Sequence, residues 1–229
     1  MSTARLFIAV PIDSKPALRE VLDKLAAMGS PVRAVDEKNL HLTLRFLGQC
    51  DLEFMPRIIE AMDQAVGDSG PFKIRLRGLG AFGGPDHPRV IWSGVGGGEP
   101  LVQIQLHLGQ ALEEAGFAFQ PEKRPYEPHV TLARLNLRRG PAPPALPKLL
   151  ARHQSSDFGA YGVDGVSLVQ SELKPAGPSY TVLATASLCM PGTSGGAGCM
   201  QLGALADMKS QIWSDGTSRN DHARSEERT

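Results

Sequence analysis

The sequence has little that suits an oxidising compartment, a membrane or a long polyanion. It carries three cysteines, Cys50, Cys189 and Cys199, with no CxxC spacing. An odd, sparse set of thiols reads as reduced side chains in a cytoplasmic protein, not as a disulfide framework. No apolar run approaches the roughly 18 residues of a membrane span. Residues 1–11 hold one Arg and a short apolar run ending at Pro11, too little for a signal h-region with a cleavage site. There is no excess of either charge, with 24 basic and 24 acidic residues. A protein that coats nucleic acid needs a basic surplus, because neutralising phosphates supplies most of its affinity. Neutrality therefore argues against that class, but does not exclude the recognition of a single terminal phosphate. Apolar residues also run out near the end. Residues 191–229 are rich in Gly, Ser, Asp, Arg and Asn, with almost nothing apolar after Trp213, so they are expected to form a flexible tail. That leaves residues 1–190 as the folded unit, expected to be a soluble monomer.

Within that unit, strands and helices alternate. Residues 5–11, rich in Ile, Val and Phe, suit a buried strand. Ser14 before Lys15-Pro16 reads as a helix cap, and Leu18, Val21, Leu22 and Leu25 mark a helical face running to about Gly29. A brief strand is expected at 32–35 and a clear one at 40–47. A second helix at 51–66 should be kinked or delayed by Pro56. Strands at 72–79 and 89–95 flank the turn Gly83-Gly84-Pro85. Leu101, Ile104, Leu108 and Leu112 mark a third helix ending near Gly116. A strand at 129–135, a Pro-rich loop at 140–147, a short helix at 149–153 and two closing strands at 163–172 and 180–188 complete the pattern. This is an α+β chain with mostly antiparallel strands in two half-lobes.

Each half-lobe has a helix followed by a strand bearing the same tetrapeptide. The first is His41-Leu42-Thr43-Leu44 and the second His129-Val130-Thr131-Leu132. Two copies of His-apolar-Thr-Leu arise by chance on the order of once in ten thousand such chains. Alternation in a strand puts His41, Thr43 and Arg45 on one face and Leu40, Leu42, Leu44 and Phe46 on the other. His129 and Thr131 repeat the arrangement. With these faces opposed, two imidazoles and two hydroxyls share one cleft. One neutral His can take a proton from water while a protonated His gives one to a leaving oxygen, and the Thr hydroxyls with an Arg hold the non-bridging oxygens of a phosphate. A zinc site would need a third Cys, His or carboxylate ligand. Only Glu127 stands near, so no metal and no cofactor are expected. His87, His107, His153 and His222 lack a Thr two residues on and read as structural or exposed. Gly96-Gly97-Gly98 lacks the GxxxxGK[ST] pattern of a phosphate loop.

With these motifs and their flanks, RLFIAV, EKNLHLTLRFLG, GLGAF, PRVIWSGV, RPYEPHVTLARL and SELKPAGPSYTVLA, the chain resembles the RNA 2′,3′-cyclic phosphodiesterases. These are also called 2′-5′ RNA ligases, of the two-histidine phosphoesterase superfamily. The resemblance spans residues 4–189. It implies a bilobal fold whose two mostly antiparallel sheets face a central cleft with helices outside, acting on RNA 2′,3′-cyclic phosphate termini to leave a 2′-phosphate. By the same resemblance His41 is the proton donor, His129 the base, Thr43 and Thr131 bind phosphate, and Arg134 contacts it. Ideal alternation turns Arg134 away from His129, so the resemblance requires a bulge, a strand end near Ala133, or an arginine that reaches around. Arg45 has the right parity for the cleft but is as readily a solvated charge, and Arg124 and Tyr126 read as surface residues near RNA. The reverse ligation, a small cyclic-nucleotide substrate and a non-catalytic RNA-end binder remain alternatives.

Overall fold

The structure is a computed structural model that describes residues 2–67, 69–84, 87–118, 125–175 and 177–189. The expectations for Arg124, His222, Cys199 and the 191–229 tail fall outside the described residues. In chain order the elements are β1 (Thr3–Pro11), α1 (Pro16–Ala27), β2 (Val32–Ala34), β3 (His41–Asp51), α2 (Met55–Val66), β4 (Phe72–Phe82), β5 (Val90–Gly96), α3 (Glu99–Glu114), β6 (His129–Leu135), α4 (Ala145–Arg152), β7 (Asp157–Val163), β8 (Gly165–Lys174) and β9 (Gly177–Ser187).

Most expected elements are present, and the departures have local causes. The cap of α1 is Lys15, with no side-chain capping bond, so Ser14 does not fill that role. Pro in the first turn, with its φ already helical, starts the helix without one. Pro56 delays the second helix. A 3-10 turn, Leu52–Phe54, precedes α2, which places Pro56 in its first turn. The fourth helix begins at Ala145, inside the stretch expected to be a Pro-rich loop. Strand β7, whose sequence is DFGAYGV, has no counterpart among the expected elements.

The strands pair antiparallel along one path, β7-β4-β5-β6-β3-β1-β8-β9, with β2 added on β6. This path divides into halves of matched connectivity. In one, β1 and β3 pair across the connection that contains α1, and β8 and β9 continue outward. In the other, β5 and β6 pair across the connection that contains α3, and β4 and β7 continue outward. Where the halves meet, Leu42 of β3 stands opposite Val130 of β6. Farther along β6, β2 takes over as the partner, with Ala34 opposite Ala133 and Arg33 opposite Arg134.

Alternation sorts the side chains of these strands. Leu6, Ile8, Val10, Leu42, Leu44, Val130 and Leu132 enter one core together with Leu18, Leu25, Ile58, Met62, Leu101, Ile104 and Leu108 from the first three helices. Fully burying each such side chain contributes about 1.5–3 kcal/mol. Phe7, Ala9 and Val169 form a second, small cluster joined by Tyr180, on the face shared with His41 and Thr43.

Leu42 and Val130 are both fully buried where the halves join. Leu42→Ala is expected to cost about 2–5 kcal/mol, measured by urea unfolding. A loss under about 1 kcal/mol would show that the junction is not tightly packed.

Candidate active site

The two tetrapeptide strands present their polar residues in the same way. His41 and Thr43 of β3, and His129 and Thr131 of β6, are half-buried, while the alternate residues Leu42, Leu44, Val130 and Leu132 are buried. Each imidazole is anchored by the backbone just before it. His41 Nδ1 donates to the carbonyl of Asn39 at 2.7 Å, and His129 Nδ1 donates to the carbonyl of Glu127 at 2.8 Å. A carbonyl can only accept, so the proton sits on Nδ1 in both rings, and Nε2 is left for exchange.

Aromatic rings hold each histidine from the side. Phe7 and Tyr180 lie with centroids 4.9 and 5.3 Å from His41. Phe82 and Trp92 lie 5.0 and 6.3 Å from His129. Trp92 can occupy that place because its indole covers Gly80, where an added Cβ would come within 2.2 Å of the ring. Asn39, itself buried, anchors the first histidine from two directions. Its carbonyl accepts from His41, and its side-chain amide donates to the carbonyl of Pro178 on β9 at 2.9 Å. That bond fastens the hairpin that carries Tyr180. Tyr126 ties the two motifs together, since its hydroxyl donates to the carbonyl of Thr43 at 2.9 Å.

Both arginine expectations are decided by bulges. Along β6 the pairing with β5 jumps from Trp92 opposite Thr131 to Ile91 opposite Ala133. One extra residue reverses alternation beyond it, so Ala133 and Leu135 are buried and Arg134 is exposed on the face of Thr131. Of the three ways Arg134 might have reached the site, the bulge is the one present. Along β3 the pairing with β1 jumps likewise from Ala9 opposite Thr43 to Ile8 opposite Arg45. Here the extra residue turns Arg45 away, towards α3, where a Cβ on Gly109 would lie 3.0 Å from its Nη2. Phe46 takes the site face instead and is 60% exposed. The ideal-strand parity assigned to Arg45 and Phe46 is thus exchanged.

His41 is held below the usual imidazole range, first by burial and then by the positive charges of Arg134 and His129, while the bond to Asn39 opposes the shift. The influence of Arg134 and His129 on His41 places all three in one electrostatic neighbourhood. His153 is bonded through Nδ1 to Ser156 Oγ at 3.0 Å, a structural role in agreement with the sequence. Among the described residues, no three His, Cys, Asp or Glu side chains group as ligands for a metal ion, and no helix is long and apolar enough to cross a membrane.

Asn39 and the aromatic residues Phe7, Phe46, Phe82, Trp92 and Tyr180 are absent from the sequence-derived site. Phe7, Trp92 and Tyr180 were accessible in principle through strand parity. Asn39 and Phe46 were not, because one acts through a turn and the other through a bulge.

The site and sheet define a class of two-half α+β protein whose matched strands each offer a histidine and a threonine. The particular family follows from comparison. The family model of the 2′-5′ RNA ligase superfamily matches residues 9–174, and the chain belongs to that superfamily. It is 40% identical over 167 residues to the RNA 2′,3′-cyclic phosphodiesterase of Aeropyrum pernix, covering 72% of this chain and 92% of that one. With the enzyme of the same name from Thermus thermophilus it shares 35% identity over 190 residues, 80% of this chain and 90% of the other. Among solved structures, a Thermus thermophilus protein aligns with a TM-score of 0.65 and 33% identity, over 82% of this chain and 99% of that one. Escherichia coli LigT complexed with 3′-AMP aligns with a TM-score of 0.59 and 26% identity, over 82% and 99% of the two chains.

Arg134→Met removes a positive charge that acts on His41. The imidazole of His41, followed by NMR across a pH titration, is expected to titrate at higher pH in this variant than in the parent. An unmoved titration would place Arg134 outside the site.

Proposed function

We propose that this protein hydrolyses a 2′,3′-cyclic phosphate at an RNA end to a 2′-phosphate, using its two histidines and no metal ion. The observation that carries the proposal is the matched pair of imidazoles, each with Nδ1 tied to a backbone carbonyl and Nε2 left for proton transfer. The curated relatives named as RNA 2′,3′-cyclic phosphodiesterases give the substrate class.

In the proposed step His129 Nε2 takes a proton from water as the water oxygen bonds to phosphorus. The bond from phosphorus to O3′ breaks in line with that attack, and His41 Nε2 gives its proton to O3′. Thr43, Thr131 and Arg134 hold the non-bridging oxygens, where negative charge builds in the transition state. The aromatic residues beside the histidines offer ring faces to the terminal base, a sequence-tolerant way to hold single-stranded RNA. The halves joined at Leu42 and Val130 act as two lobes flanking the phosphate. Residues 1–190 are the working unit, acting as a cytoplasmic monomer. Ligation through a 2′-5′ linkage is the same displacement with the 5′-hydroxyl of a second RNA in place of water, and needs the same groups.

The lowered pKa of His41 favours its neutral form in the free protein, whereas a donor must be protonated. The anionic phosphate resolves this opposition, because negative charge beside Arg134 and His41 favours the imidazolium once substrate is bound.

The direct test is product analysis on an oligoribonucleotide ending in a 2′,3′-cyclic phosphate. The expected product resists a phosphatase specific for 3′-phosphates. His41→Ala and His129→Ala are each expected to lose at least about a hundredfold in rate with the fold intact. Turnover within a few-fold of the parent in either variant would refute the mechanism.

The pH dependence follows from the direction of the His41 shift. A donor is active while protonated, so kcat/KM, which reads the free enzyme, is expected to fall as pH rises through a value below the ordinary imidazole range. The corresponding limb of kcat, which reads the complex, is expected at higher pH. Coincident limbs would mean that the phosphate does not act on the donor.

A further inference from the structure

We propose that the turn after α4, residues 153–156, positions His129 from a distance. The turn holds open a bulge in β4, and the bulge sets Phe82 and Trp92 against that imidazole. This rests on the reading of His129 as one of the two working histidines.

The effect begins with a reversal of alternation inside β4. Ile74, Leu76 and Leu79 are buried, so the spacing of core residues changes from two to three after Leu76. The pairing with β5 changes at the same place, from Arg77 opposite Gly94 to Leu79 opposite Ser93. An unbroken strand would carry Gly80 and Phe82 into the core behind Ile74 and Leu76, and leave Leu79 and Ala81 outside. With the bulge, Gly80 stands opposite Trp92 and lies beneath its indole. Phe82 then packs with its centroid 5.2 Å from Trp92 and lies edge-on to His129 at 5.0 Å.

The bulge is held from the other edge of β4. Strand β7 pairs along β4 only as far as Arg77 opposite Asp157. Beyond that pair the turn supplies the acceptors. The amide of Gly78 donates to the carbonyl of Ser156 at 2.8 Å, and the amide of Leu79 to the carbonyl of His153 at 3.0 Å. Amides of an ideal strand point to alternate sides, so two successive ones directed at the same turn fix the extra residue in place. Gly78 makes the approach possible. Its φ is +69°, and a Cβ there would lie 2.6 Å from the carbonyl oxygen of Gln154. His153 in turn fastens the turn. Its amide donates to the carbonyls of Leu149 and Leu150 at 3.2 Å each, and its ring Nδ1 bonds to Ser156 Oγ at 3.0 Å. The imidazole of His153 thus ties together the two residues whose carbonyls hold the bulge.

The turn acts on His129 through Phe82 and Trp92, whereas the rings beside His41, Phe7 and Tyr180, belong to β1 and β9 in the other half. Gly78→Ala crowds the turn off the bulge. Its kcat on the cyclic-phosphate oligonucleotide is expected to fall at least about tenfold while KM stays within about threefold. The ring-proton resonances of His129, which sense the ring current of Phe82, are expected to shift while those of His41 stay in place. Ser156→Ala removes the tie to His153 without crowding, and keeps the test open should Gly78→Ala not fold. It is expected to shift His129 alone, with a smaller loss in kcat of about threefold. Turnover by the parent protein tests the underlying reading, and the resonances, recorded without substrate, test the inference apart from it. His129 resonances unmoved in the folded variants, or moved together with those of His41, would overturn the inference.

Discussion

A strand offers a side chain two directions, and one inserted residue exchanges them for everything that follows. That constraint governs the site. The three leucines and one valine of the two tetrapeptides are committed to the core, which commits His41, Thr43, His129 and Thr131 to the other face. Uninterrupted strands would then bring Arg45 to the site and send Arg134 into the core. A bulge in each strand reverses both assignments without disturbing the buried pairs before it. The core therefore dictates where the histidines face, and the bulges decide which residues join them.

Rigidity at the histidines comes from the backbone and the rings around them. A net intramolecular hydrogen bond contributes only about 0.5–1.5 kcal/mol. At His41 and His129 its larger effect is to choose between tautomers, since a ring bonded through Nδ1 to a carbonyl cannot move that proton to Nε2 without losing the bond. Ring neighbours restrict the imidazoles further and desolvate them. At His41 that desolvation and the charge of Arg134 act in the same direction on its pKa. Asn39 adds the link between the first motif and the β9 hairpin, and Tyr126 links the second motif to the first.

What the sequence made legible and what it concealed divide along the same physical line. The periodicity of Leu18, Val21, Leu22 and Leu25 and the paired HxTL strands are local, and the corresponding elements are present. The face of His41 and Thr43 was legible because it needs only alternation. The face of Arg45 and Phe46 was not, because a bulge is defined by the partner strand, and no local feature of β3 announces that Ala9 and Ile8 will skip a residue. Strand β7 escaped because Gly159 and Gly162 interrupt its apolar pattern, while its pairing along β4, from Phe72 opposite Val163 to Arg77 opposite Asp157, is long-range. Arg134 was placed by family resemblance against local geometry. In the structure Arg134 lies beyond a bulge of β6, exposed on the face of Thr131.

The indole of Trp92 rests on Gly80 with its ring centroid 6.3 Å from that of His129. Of the two tryptophans in the chain, the other, Trp213, lies outside the described residues. An imidazolium is a better acceptor of an excited electron than a neutral imidazole, so emission from Trp92 is expected to dim when His129 is protonated. The expected optical reporter thus stands beside one of the two motif histidines. With Trp213 replaced by phenylalanine, the remaining emission is expected to follow the charge on that ring, without label or substrate.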